Sequence, residues 1–179
     1  MENLLNTEWF AYLCALIGPF IQEDAAVLGA ASASVSGIGT PLGMFIAITV
    51  GLTISDLWKY WLGRAAISRP WAKKHAENPR ILKAQDSIVN NLGKSIMIAR
   101  FVPGTRIPLY IAAGFFQASF AKFSIFIFVS ALIYIAIAFG LFNLLGEVAG
   151  EEAKKYLPIV ALVGFGFLLL FKRLRRPTE

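Results

Sequence analysis

Ala99-Arg-Phe-Val-Pro-Gly-Thr-Arg-Ile-Pro-Leu-Tyr-Ile-Ala-Ala-Gly114 sets two arginines, Arg100 and Arg106, among prolines, a glycine and apolar flanks. Lys or Arg at the centre of a membrane helix costs roughly 2.5 to 3.5 kcal/mol on insertion scales, so such a pair must face a polar cavity, a partner charge or an anionic ligand. Pro103 and Pro108 stop one helix from running through, and lipid cannot satisfy the backbone groups that a break sets free. The stretch therefore reads as a broken, re-entrant segment at a binding site.

That reading presupposes a membrane, and the composition supplies one. The chain has 179 residues, 57% of them hydrophobic, against roughly 45 to 50% apolar usage in soluble domains. It reads as a single all-α membrane domain spanning 1–179. The net charge of +6 is compatible with nucleic acid, but the basic residues cluster in 64–94 and at the C-terminus, beside apolar runs. Membrane flanks account for them better, and no nucleic-acid partner is expected. Cys14 is the one cysteine and His75 the one histidine, in a charged loop. An intrachain disulfide is excluded, a histidine-dependent triad or Cys/His metal site is disfavoured, and no metal or cofactor is expected. Met1-Glu-Asn-Leu-Leu-Asn-Thr-Glu8 lacks the positive region of a signal peptide, so no cleavage is expected.

Upstream of the arginine segment, an apolar run centred on Trp9–Gly18 is followed by Pro19 and by the adjacent carboxylates Glu23 and Asp24. A run of ~10 to 14 apolar residues is more often re-entrant or interfacial than spanning. Ala25–Ser36 is rich in small residues that let helices approach closely in lipid. Gly37-Ile-Gly-Thr-Pro41 is a turn, and 42–63 is a span containing Asp56, with Trp58, Tyr60 and Trp61 as an interfacial aromatic belt. Residues 64–94 are hydrophilic and basic, and Ile81, Ala84, Ile88 and Leu92 after Asn78-Pro79 suggest an amphipathic surface helix or a solvated connector. Residues 95–122 hold the arginine segment, 123–146 form a second span, and 156–172 a short C-terminal span before Lys172-Arg-Leu-Arg-Arg176.

The halves share one layout: short apolar run, proline-marked polar tip, second short run, turn, full span. A shift of about 81 positions lays Leu42 on Phe123 and Asp24 on Thr105, a weak repeat of the sort that broken-helix transporters show. Placing the basic 64–94 loop in the cytoplasm also tests whether the short segments cross. Only if 95–122 enters and returns does the basic C-terminus end inside. The first hairpin, 5–41, then enters from the other face. The expected fold is an inverted-topology repeat with two re-entrant hairpins and about three full transmembrane helices, carboxylates on one tip and arginines on the other.

Arg100-Phe-Val-Pro-Gly-Thr-Arg106, continuing through Ala113-Gly114 to Phe123, resembles the signature of the DedA family, whose domain is called VTT or SNARE-associated. Asp56-x-x-x-Tyr60-x-x-Gly63-Arg64 is similar to that family's segment after its first long span. Gln22-Glu23-Asp24 falls where the family carries an acidic residue, with Ile21-Gln-Glu-Asp24 in place of the frequent Pro-Gly-Glu tip, so either carboxylate can hold that role. The resemblance covers about residues 15–146. It implies a multi-pass protein of the bacterial inner membrane, C-terminus cytoplasmic, that moves undecaprenyl phosphate or a phospholipid with the help of a proton or sodium gradient.

On this reading Arg100 and Arg106 receive the lipid phosphate at a tip shaped by Pro103 and Gly104. Guanidinium suits phosphate because it binds bidentately and keeps its charge when buried. Glu23, Asp24 and Asp56 are the candidate coupling or counter-charges, with Tyr60, Arg64 and Gly114 in support. Plainer roles stand beside these. The arginines can snorkel to an interface, Glu23 and Asp24 can simply favour a helix N-terminus, and Asp56 can be a local partner of Lys59 or Arg64. Gly39-x-x-x-Gly43 and Gly146-x-x-x-Gly150 read as loop glycines. A lipid-phosphate enzyme and a structural adaptor are the competing classes. The enzyme lacks an evident nucleophile and a two-metal carboxylate cluster, and the adaptor leaves the polar tips unexplained.

Overall fold

The computed structural model describes residues 2–67, 69, 85, 88–102 and 104–154, with side chains within Glu8–Leu145. The elements there are six helices: α1 (Glu2–Ile21), α2 (Glu23–Val35), α3 (Pro41–Ala66), α4 (Leu92–Phe101), α5 (Arg106–Phe115) and α6 (Phe120–Lys154). The chain forms two compact units, Met1–Leu52 with Ile135–Glu179, and Thr53–Tyr134, so the division falls inside α3 and α6. Most of the expected amphipathic segment, Pro103 and the expected span 156–172 lie outside the described residues.

The two long helices carry the membrane signature on their faces. Along α3, Leu42, Ile46, Val50, Ile54 and Trp58 form an exposed stripe at four-residue spacing, while Met44, Ile48, Leu52, Asp56 and Tyr60 form a buried one. Apolar groups thus face outward and the charged group inward, the reverse of a helix on a water-soluble core. On α6 Ile125, Val129, Ile133, Ile137 and Leu141 are exposed and Ser130 is buried. Pro41–Ala66 and Phe120–Leu145 are both long and apolar enough to cross a bilayer. The fold is that of an all-helical membrane protein.

Two expectations about these helices need correction. Tyr60 does not join an aromatic belt: Trp58 and Trp61 are exposed, whereas Tyr60 is fully buried and donates its hydroxyl to the Ala118 carbonyl at 2.7 Å. And α6 does not stop near 146 but stays helical to Lys154, because Glu, Val, Ala and Lys propagate a helix that two glycines weaken without ending.

In the first unit α1 packs on α2. The chain breaks at Gln22, whose extended φ/ψ of −150°/100° ends one helix and starts the next. Pro19 does not end α1, since helical bonding resumes with the Gln22 N–H on the Gly18 carbonyl at 2.9 Å. The small-residue stretch becomes α2, burying Val27, Ala30, Ala31 and Ser34. Thr40 begins α3, its Oγ1 accepting the Gly43 N–H at 3.1 Å, and the Tyr12 hydroxyl accepts the Thr40 N–H at 2.7 Å.

In the second unit α4 packs on α5. The elbow between them has Val102 extended and Gly104 at φ +85°, a left-handed conformation that only glycine adopts freely. The Thr105 hydroxyl donates to the Val102 carbonyl at 2.8 Å. It thereby satisfies a group that the break would otherwise leave bare. Both short helices that lead into long ones end in the same cap. Ile38 N–H bonds the Ala33 carbonyl at 2.9 Å and Ala118 N–H the Ala113 carbonyl at 3.0 Å, with Gly37 and Gln117 at φ 76° and 55° in the corresponding left-handed position. These are Schellman caps 80 residues apart (117 − 37), a local counterpart of the repeat seen in hydropathy.

α5 meets α3 through glycine. A Cβ at Gly114 would collide with the Tyr60 carbonyl and one at Gly63 with the Ile111 carbonyl, so the backbones touch. Gly114→Ala should therefore lower the unfolding free energy of the purified protein in detergent by about 1 to 3 kcal/mol. Gly140→Ala, with nothing within 4 Å of the new methyl, should be neutral or mildly stabilising. Equal thermal unfolding midpoints for the two variants would refute the close contact.

Candidate functional site

The second unit encloses a charged cluster built by four helices. Asp56 on α3 is completely buried and Arg100, in the last turn of α4, is 2% exposed. Arg100 Nη2 lies 2.8 Å from Asp56 Oδ2. The other carboxylate oxygen, Oδ1, is 3.0 Å from Lys59 Nζ, which also donates to Ser55 Oγ at 3.3 Å. One carboxylate therefore divides its two oxygens between two cations.

The geometry explains how the pair tolerates burial. An ion pair removed from water loses more solvation than the Coulomb attraction returns unless further hydrogen bonds complete it. Arg100 Nε and Nη2 donate to Ser130 Oγ on α6 at 3.3 and 3.2 Å. The Ser130 hydroxyl hands its own proton to the Ile127 carbonyl at 2.9 Å. Arg100 also sits at the C-terminal end of α4, where the carbonyl ends of the helix favour a cation. Among the described residues its Nη1 has no hydrogen-bond partner.

Arg106 is the first residue of α5 and only 7% exposed. Its Cζ lies 5.9 Å from the centre of the Tyr134 ring, within cation–π reach. A cation at a helix N-terminus adds to the positive end of the macrodipole instead of cancelling it. That potential suits an anion. The inward face of α5 continues through Tyr110, Ala113 and Gly114, and the Tyr110 ring centre is 6.0 Å from Arg100 Cζ.

On another flank of α4 and α5 lies an open groove of about 520 Å³, lined by Ile98, Ala99, Val102, Pro108, Leu109 and Ala112 together with Ile88, Ser95 and Thr105. Its wall is nearly all hydrocarbon. Ala99 and Thr105 each immediately precede one of the two arginines in the chain.

The remaining candidates occupy plainer positions. Glu23 (8% exposed) and Asp24 stand in the first turn of α2, where backbone N–H groups favour carboxylates. They belong to the first unit. Arg64 is exposed, and its Nη1 donates to the Tyr60 hydroxyl at 3.3 Å, so it steadies Tyr60 and does not pair with Asp56. Gly114 serves packing, and Gly104 forms the exposed elbow. Lys59 was a foreseen neighbour of Asp56, but Arg100, 44 residues away, was not. Ser130 and Tyr110 were missed. A lone serine in an apolar span looks like filler, and a tyrosine four residues after Arg106 looks like core. Among the described residues no group of three His, Cys, Asp or Glu is placed to hold a metal.

Inward-facing ions, apolar outer faces and two helices long and apolar enough to cross a bilayer define an all-helical membrane protein with a buried ionic cluster. A family model described as the VTT domain matches residues 23–144, a stretch that starts at Glu23 and contains Asp56, Arg100 and Arg106. The chain belongs to that family, the DedA family. No curated protein and no solved structure matched the chain.

Removing Asp56 strands Arg100 in the interior. Asp56→Ala should cost about 3 to 5 kcal/mol, and Asp56→Leu combined with Arg100→Met should cost less than Asp56→Ala alone, because the fully buried guanidinium is then removed along with its partner. Denaturant titration in mixed micelles checks the order, and a double variant weaker than the single one would overturn it.

Proposed function

We propose that this protein is a transporter or scramblase that moves a phosphorylated lipid, undecaprenyl phosphate or a phospholipid, across a bacterial inner membrane. The observation that carries the reading is Arg100: a buried guanidinium, anchored by Asp56 and Ser130 through Nε and Nη2, has no acceptor for Nη1 among the described residues. An anchored guanidinium with a spare edge is suited to a phosphate oxygen, since charge-assisted bonds to oxyanions are roughly twice as strong as neutral ones. Arg106, at the N-terminus of α5, supplies the second cation. The groove beside α4 and α5, about 520 Å³, falls within the ~300 to 1,000 Å³ of ordinary ligand pockets and offers hydrocarbon for a stretch of lipid tail. Head and tail recognition then share one helical hairpin.

In this mechanism α1–α2 and α4–α5 are re-entrant hairpins, α3 and α6 are full spans, and 156–172 is a third, which leaves the basic C-terminus in the cytoplasm. Glu23 or Asp24, in the first turn of α2, is the acidic group that couples movement to a proton or sodium gradient. The protein performs no covalent chemistry on the lipid.

Purified protein in vesicles carrying a fluorescent lipid phosphate tests the function. Arg100→Ala and Arg106→Ala should each reduce transbilayer movement at least about ten-fold, and Arg106→Lys should recover only part of it, since an ammonium cannot bind bidentately. Wild-type rates in both alanine variants would overturn the reading, and release of inorganic phosphate by wild type would favour an enzyme instead. Topology has its own check: a cysteine introduced at Thr178 should react with an impermeant maleimide only when the cytoplasmic face is accessible.

A further inference from the structure

The second unit buries a phenol that its own protein does not use. Tyr110 is completely buried, its ring edge-on to Phe123 at 5.6 Å between centres, and among the described residues its hydroxyl has no hydrogen-bond partner. The same is true of Arg100 Nη1, and the Arg100 guanidinium lies 6.0 Å from the Tyr110 ring centre. Two unanswered donors on neighbouring side chains differ from two scattered ones. The Ser32 and Thr53 hydroxyls also lack partners, but a hydroxyl on Cβ is one torsion away from a carbonyl of its own helix. A tyrosine hydroxyl stands at the far end of a rigid ring and has no such recourse.

Nearby buried hydroxyls show what a purely structural phenol looks like here. Tyr60, equally buried, donates to the Ala118 carbonyl at 2.7 Å. Phenylalanine would fill the place of Tyr110 with the same ring and no penalty, because an unsatisfied buried hydroxyl destabilises the fold that carries it. Retaining the oxygen beside an underused guanidinium matches the chemistry of an acceptor that arrives from outside.

We infer that Tyr110 is a ligand-binding residue, whose hydroxyl donates, together with Arg100 Nη1, to an oxygen of a phosphate group. The assignment rests on the lipid-phosphate reading above and names a neutral donor for it. It divides the work at the site. Arg100 supplies charge, and the phenol supplies direction, because a single O–H at the end of a fixed ring admits an acceptor along a narrow set of approaches. A carboxylate or a carbonyl of another lipid meets the cation less well placed.

Tyr110→Phe isolates the hydroxyl, since the ring, its contact with Phe123 and its place under the guanidinium all remain. Two measurements on the intact chain in maltoside micelles decide the matter: thermal unfolding without ligand, and calorimetric binding of monododecyl phosphate, with inorganic phosphate as a separate arm. The variant should bind monododecyl phosphate at least about five-fold more weakly, as expected for loss of a hydrogen bond to a charged group. Its ligand-free melting temperature should equal or exceed that of wild type, because the hydroxyl is unsatisfied when the site is empty. Equal binding by wild type and variant would overturn the assignment alone, as would a clearly lower melting temperature with unchanged affinity. If wild type bound neither probe, the lipid-phosphate reading would fall and the assignment with it. Inorganic phosphate binding as tight as monododecyl phosphate would keep the donor role while assigning the site to free phosphate.

Discussion

The second unit depends on one carboxylate shared by two cations. Asp56 holds Arg100 at 2.8 Å and Lys59 at 3.0 Å, and each contact restrains the other. Were both oxygens given to Arg100 in a bidentate pair, a second guanidinium nitrogen would be engaged by the carboxylate. Because Lys59 occupies Oδ1, Arg100 is gripped through Nη2 alone and turned by Ser130, which leaves its far edge unengaged. The arrangement neutralises the arginine enough to be buried and too little to be closed.

The packing around the cluster serves to keep it dry and in register. Tyr60 and Phe123, with ring centres 4.8 Å apart, belong to an apolar core that also includes Tyr110, Ala113, Ile96 and Ile127. Gly63 and Gly114 let α3 and α5 come into backbone contact. Asp56 stands two turns before Gly63 on one helix, and Arg106 two turns before Gly114 on the other. A side chain at either glycine would move a charged residue as well as a helix.

Much of the architecture was legible in the sequence because it follows from local chemistry. Gly37, Gly39 and Gly104 marked turns between helices, and apolar length marked α3 and α6. Lys59 as a partner of Asp56 followed from helical spacing. The Asp56–Arg100 pair did not, since 44 residues separate the two and only packing decides which of several carboxylates meets which arginine. Arg64 looked equally suited to Asp56 at a spacing of eight residues, yet it turned to the Tyr60 hydroxyl one helical turn away. The continuation of α1 through Pro19 was also hidden, because a proline near a helix end removes one bond without dictating where the next resumes.

The elbow after α4 bears on how such a protein is made. The Val102 carbonyl accepts from the Thr105 hydroxyl and backbone N–H at 2.8 and 3.3 Å, so that carbonyl is satisfied from within the elbow. Synthesis runs from the N-terminus, and early segments fold before later ones exist. Asp56 therefore emerges 44 positions ahead of Arg100, and Ser130 follows another 30 behind. The acid precedes the arginine that requires it, and the neutral acceptor that orients the arginine comes last. The counter-charge of Arg100 is thus already synthesised when Arg100 is added to the chain.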